Sequence, residues 1–249
     1  MAVGSRLLRR DDWAALDRSA RDAWARGLRA PTPDGDVAEI VARVRRHGDA
    51  ALRELTLELD GVELDDLFVA ESAIAQAQVS PELEAALEAS VASVRRYHAE
   101  QRAALSAERK VRTGPGVTAW RRWTPIERAG GYVPGGTANY PSSVIMLGVP
   151  ATLAGVEELI IATPVRPDGT VHPAVLVAAR LVGVTRILRV GGAQAIAALA
   201  YGTDTVPRVD RIFGAGNAWV TAAKRLVAAD SAIDLPAGPS ELVILADST

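Results

Sequence analysis

The chain contains no cysteine. That absence removes disulfides, thiolate nucleophiles and cysteine metal sites together, and it suits a reducing compartment, with a cytoplasmic location as the expectation. Excess charge is missing too. The 28 Lys and Arg against 30 Asp and Glu leave a net charge of −2, which offers no bulk attraction for nucleic acid or an anionic membrane. Neither is expected as a partner. No apolar run is long enough for a signal peptide or a membrane span, and the opening MAVGSRLLRRDDWAALDRSARDAWARG scatters arginine and aspartate throughout. No internal repeat or low-complexity tract is present in the 249 residues. With 49% hydrophobic and 23% charged residues, the composition is that of a globular chain with room for one large or two modest domains.

Residues 1 to about 110 read as mostly helical. Val37, Ile40, Val41 and Val44 recur at helical spacing, and Gly48-Asp49 marks a break before Ala50, Leu52 and Leu55 resume the pattern. Ser80 is a good N-cap, Pro81 stands where a helix tolerates proline, and Leu83, Leu87, Val91, Val94 and His98 form one stripe of a long amphipathic helix. VRTGPGVTAWRRWTPI then places a Gly-Pro-Gly turn between two extended runs, a hairpin.

From Gly130 the texture changes. GGYV, ELIIATP, RILRV, DRIFG and AIDLP are β-like runs separated by helical stretches at Ser142 to Ala154, Pro173 to Val182, the Gln194 region, and Asn217 to Ala228. Such alternation implies right-handed crossovers and a parallel sheet covered by helices on both faces. The expected fold class is therefore α/β: a doubly wound, Rossmann-like domain over 130–238. A mainly helical region with a short hairpin, 1–129, precedes it as part of an incomplete second α/β domain. Residues 239–249, with ELVILADST, read as the first strand of that second sheet.

In doubly wound sheets ligands bind in loops at the carboxyl ends of strands. YVPGGTANYPSS, GGAQ and GAGN are such loops, and their glycines let backbone approach a ligand while helix starts offer free N–H groups to an anion. Gly-rich turns also occur for geometry alone, and the spacing does not separate the two uses. Taken singly, Gln194 reads first as a polar residue at a helix start, Tyr132 by default as a packing aromatic, Asn217 by default as an N-cap and Ser240 as a cap or turn residue. The dinucleotide fingerprint fails in GAGNAW, because Trp219 stands where the third glycine belongs, and VPGGTANYPSS has no Gly-Lys-Ser/Thr ending. The histidines, His47, His98 and His172, show no metal-ligand spacing.

RVGGAQAIAALAYGTDTVPRVDRIFGAGNAWVTAAKRLV, followed by AIDLPAGPSELVILAD, resembles the histidinol dehydrogenase family, as do RRHGDAAL, GPGV and GGYVPGGTANYPSSVIMLGVPATLAGV upstream in the same order. The resemblance covers nearly the whole chain. It implies a zinc-dependent enzyme that oxidises L-histidinol to L-histidine through the aldehyde with two NAD molecules, and that forms homodimers when full length. Tyr132, Gln194 and Asn217 match NAD-contacting positions, and Ser240 a substrate-contacting one.

The likeness has two departures. The family's FGPGN is FGAGN here, so Ala215 replaces a rigid proline beside Asn217. The residues the family uses as zinc ligand and as glutamate–histidine proton acceptor would follow Thr249, so no catalytic residue and no zinc ligand is expected within the chain. The resemblance then implies inactivity of the chain alone and an exposed apolar patch on the helices of residues 30–110. The alternatives are a non-catalytic nucleotide-binding module and a family member acting on another small hydroxyl compound.

Overall fold

The structure is a computed structural model that describes residues 15–21, 33–105, 109–135 and 138–235. Pro33–Ala237 forms one compact unit, and residues 15–21 belong to another, in which the Asp17 carboxylate accepts from the Ala20 amide (2.8 Å). Ser240 and the strand expected over 239–249 lie outside the described residues.

Two helices and a short one come first: α1 (Asp34–Asp60), α2 (Glu71–Gln76) and α3 (Pro81–Ala103). In α1 the helical dihedrals break at Gly48 (φ 51°, ψ −129°), where the interrupted hydrophobic spacing marks the break. Ser80 caps α3 by accepting from the Leu83 amide. The stripe on α3 is shallower than its periodicity suggests: Leu87 is buried, whereas Leu83 keeps 39% of its surface exposed. Leu57, Leu59, Tyr97 and Leu105 are also exposed on this helical part. The Gly-Pro-Gly turn joins β1 (Val111–Gly114) to β2 (Val117–Ala119) in an antiparallel ribbon.

The remaining strands, β3 (Arg128–Tyr132), β4 (Glu158–Ala162), β5 (Arg186–Leu188), β6 (Arg211–Phe213) and β7 (Ala232–Ile233), form a parallel sheet in the order β5-β4-β3-β6-β7. Between them run α4 (Pro141–Ala154), α5 (Pro173–Val182), α6 (Gly192–Tyr201) and α7 (Ala218–Val227). Period-2 alternation sends Ile160, Ala162 and Leu188 into one core with α1, α6 and α7, and Ile161 and Ile187 into another with α3, α4 and α5. Central β3 carries glycines because both layers press on it. A Cβ on Gly130 would meet Leu199 at 3.0 Å, and one on Gly131 would meet Ile161 at 2.6 Å.

The fold is thus α/β and doubly wound, with helices on both faces of the sheet. Its strand order reverses between β3 and β6, the position at which doubly wound sheets take ligands, outside the carboxyl ends of the strands. Edge strand β5 is covered by the Leu67–Val69 segment: the Val69 amide donates to Ile187 (2.9 Å), and the Arg189 amide to Leu67 (2.7 Å).

Candidate functional site

Gln194 lies in the first turn of α6, a helix of small apolar residues buried along almost its whole length. Only 2% of Gln194 is exposed, and its Oε1 has no hydrogen-bond partner. A buried carbonyl oxygen left unpaired costs about 1–3 kcal/mol. The side chain folds back over the helix start, where Gly192 adopts φ 64°; a Cβ there would lie 2.6 Å from that Oε1. A side chain at position 192 would therefore be strained by its backbone and would crowd the glutamine.

Tyr132 ends β3 and is buried. Its hydroxyl accepts a hydrogen bond from the Gly192 amide (3.1 Å), which occupies one of the free donors at the start of α6. Burial holds the phenol above its ordinary pKa, opposed by the Gly192 amide and assisted by the negative charge of Asp60. At neutral pH the ring is a protonated phenol whose own O–H remains a donor.

The β6 loop closes the other side. Gly214 (φ 109°) packs directly on the main chain of Tyr132, where a Cβ would stand 2.2 Å from the carbonyl oxygen. Asn217 caps α7 with its Oδ1, which accepts from Trp219 and Val220 (3.1 Å each). The exposed Asn217 side chain keeps its amino group for another partner. Trp219 is 37% exposed, whereas Val220 is buried against Gly216, so the fingerprint's third glycine is not needed at this helix contact.

An ion pair between a buried lysine and a half-buried aspartate fixes the loop. Lys224, 3% exposed, donates from Nζ to the Gly214 carbonyl and to Asp234 Oδ1; Asp234 Oδ2 accepts from the Gly214 amide (2.8 Å). Both polar groups of Gly214 are thereby held from α7 and the end of β7. Sequence reading did not single out this pair, since a lysine in an amphipathic helix and an aspartate after a short strand carry no signal of their pairing.

Tyr132 therefore joins two of the loops at the sheet's carboxyl edge, through its hydroxyl to the Gln194 turn and through its main chain to the Asn217 turn. For NAD the residues fit: an orphaned buried acceptor, glycines at both turns, a phenol O–H and a free carboxamide amino group lie on loops that meet at Tyr132. For zinc they do not. No group of three or more His, Cys, Asp or Glu side chains suited to a metal ion occurs among the described residues. At the opposite edge a depression of about 140 Å³ includes Glu158 and Arg186. Glu158 there pairs with Arg128 (3.0 Å) and Arg186 (3.1 Å), so its charge is already met within the protein.

Comparison with known proteins gives a consistent result. The sequence model of one family, described as Histidinol dehydrogenase, matches residues 28–249. The chain is 51% identical over 245 residues to the histidinol dehydrogenase of Xanthomonas axonopodis pv. citri (strain 306), covering 95% of this chain and 56% of that protein. It is 46% identical over 217 residues to that of Methanosarcina barkeri (strain Fusaro / DSM 804), covering 86% and 49%. The crystal structure of histidinol dehydrogenase from Elizabethkingia anophelis superimposes with a TM-score of 0.80 at 38% identity, over 86% of this chain and 49% of that one. The chain spans about half the length of the curated relatives it matches.

Proposed function

The chain belongs to the histidinol dehydrogenase family, and we propose that it supplies the NAD-binding portion of an oxidoreductase that converts L-histidinol through L-histidinal to L-histidine. NAD, when bound, accepts hydride. The chain's own residues bind and orient. The observation that carries the reading is the Gln194 Oε1, buried without a partner beside the Tyr132–Gly192 contact. A buried acceptor without a protein partner in the first turn of a helix is complemented by a donor that arrives with a ligand, and the dinucleotide's carboxamide and ribose hydroxyls are such donors.

In this reading Asn217 donates its amino group to the dinucleotide, and Tyr132 holds the α6 start in place while offering its O–H. Oxidation of an alcohol also needs a base for the hydroxyl proton. Neutral Tyr132, Gln194 and Asn217 do not provide one, so no proton-accepting step is assigned to them. Ser240 is carried into the proposal as the substrate contact by its place in AGPSE. A homodimeric full-length assembly and a cytoplasmic setting belong to the same proposal. No helix among the described residues is long and apolar enough to cross a membrane.

Calorimetric titration of the 249-residue chain with NAD tests the reading. Saturable binding, weakened at least roughly tenfold by Gln194→Met, is expected from loss of a buried hydrogen bond to the ligand. Undiminished affinity in that variant would remove the main support.

A further inference from the structure

The antiparallel ribbon of β1 and β2 takes no part in the Tyr132 site. Opposed residues set its two faces: Val111 stands across from Ala119, and Arg112 across from Thr118. Side chains alternate along each strand, so Val111, Val117 and Ala119 share one face, while Lys110, Arg112, Thr118 and Trp120 share the other. The Lys110 ammonium accordingly lies over the Trp120 ring, 5.7 Å from its centroid. One face is apolar and the other cationic and aromatic.

Neither face is covered. Every residue of the two strands except Gly114 is exposed, and Val111, Val117, Trp120 and the following Trp123 each keep half or more of their surface open. A two-stranded ribbon with both faces in water is marginal, because a third strand or a packed face is needed to hold one. Tryptophan and arginine are also the residues on which protein interfaces concentrate their binding energy.

Charge on the ribbon is of one sign. Residues 109–123 hold Arg109, Lys110, Arg112, Arg121 and Arg122 and no Asp or Glu, in a chain whose net charge is −2. Among the described residues no carboxylate pairs with Lys110, Arg112 or Arg121, and Arg121 lies instead over the Trp123 ring at 4.9 Å. A cover for this ribbon is therefore apolar against Val111, Val117 and Ala119 and acidic against Lys110 and Arg112. A second copy of the ribbon would set like charges against each other, and a nucleic acid would serve the cationic face while leaving the valines wet.

We propose that the ribbon is a docking surface for the polypeptide that the relatives carry beyond the matched part, with apolar side chains over the valines and carboxylates on Lys110 and Arg112. Chain length supports that occupant. The match takes in 95% of this chain but 56% of the Xanthomonas axonopodis protein, so a large remainder of that protein stands outside it. A segment tethered to the same chain also meets the ribbon at high effective concentration, which lets a small two-faced surface suffice. The proposal concerns assembly and does not depend on the NAD reading.

The test joins the unmatched remainder of the Xanthomonas axonopodis protein after Thr249 and compares this fusion with the 249-residue chain by amide hydrogen exchange. Each is made as wild type, as Val117→Glu, and as the double charge reversal Lys110→Glu, Arg112→Glu, with thermal unfolding to verify cooperative folding. The readout is protection of the ribbon rather than activity. Amides of residues 110–123 are expected to exchange at least roughly tenfold more slowly in the wild-type fusion than in the chain alone. Both sets of substitutions are expected to abolish that protection while leaving the unfolding midpoint of the 249-residue chain unchanged, because these side chains are exposed in it. Equally fast exchange of the ribbon in a cooperatively unfolding fusion would overturn the proposal. So would ribbon protection in the 249-residue chain that grows with its own concentration, which identifies a second copy, or that appears on adding a uridine homopolymer, which identifies a nucleic acid.

Discussion

Gln194 concentrates the conflict between stability and binding in one side chain. Leaving its Oε1 dry and unpaired works against folding, so replacing it by the similarly shaped methionine is expected to keep stability or raise it by about 1 kcal/mol, while NAD affinity falls. Denaturant unfolding beside the titration measures both; a fall in stability and affinity together would make Gln194 a packing residue only. Tyr132 gives a pH-dependent counterpart. Because its folded pKa is raised above the ordinary 10.0, the native state holds the phenolic proton more tightly than the unfolded chain. Its contribution is full below about pH 10 and is lost as pH rises from there through the folded value. Tyr132→Phe is expected to cost about 1 kcal/mol at neutral pH, since the Gly192 amide loses its acceptor, and to flatten the alkaline loss relative to wild type. Unfolding midpoints between neutral pH and pH 11 check both effects. Of these residues, the sequence made Gln194 conspicuous through the glycines before it, but nothing in GGAQ tells that the amide oxygen ends without a partner.

At the scale of elements, the turn between β6 and α7 depends on the Lys224–Asp234 pair. Polar groups of Gly214 are held on both sides, and through them the turn that presents Asn217 is anchored, at the place where Ala215 stands instead of the proline in FGPGN. Lys224→Met is expected to destabilise the chain by about 2–3 kcal/mol, because a charged hydrogen-bond donor is lost and Asp234 is left half-satisfied. The Lys224→Met, Asp234→Asn double variant is expected to lose less than the sum of the single changes, since each single change already breaks the pair. Additive losses in a double-mutant cycle by chemical denaturation would show that the two side chains act independently. Element boundaries in the doubly wound part were legible because proline, asparagine and glycine punctuate them: Pro141, Pro173 and Asn217 open helices, and Gly155 and Gly183 close them. The depth of α3 was not. Periodicity identifies the face that turns inward, whereas burial depends on how much of the neighbouring layer stands over it, and here Leu87 alone is buried.

For the whole molecule, the order β5-β4-β3-β6-β7 converts local turns into one site. Alternation of strands and helices made a parallel sheet legible, and the general rule for such sheets directed attention to their carboxyl-end loops. Which loops become neighbours depends on strand order, which the alternation leaves open. The reversal between β3 and β6 brings the turn after β6 against Tyr132, and the glycine before Gln194 reaches the same tyrosine from the far side of the sheet order. Amide chemical-shift mapping of the isotopically labelled 249-residue chain during NAD titration is the most direct measurement of this account. The account predicts saturable shifts at Gly192, Gln194, Gly214, Asn217 and their neighbours, with the opposite edge around Glu158 and Arg186 unmoved. Shifts confined to that opposite edge, or none at NAD concentrations that saturate a family dehydrogenase, would contradict it.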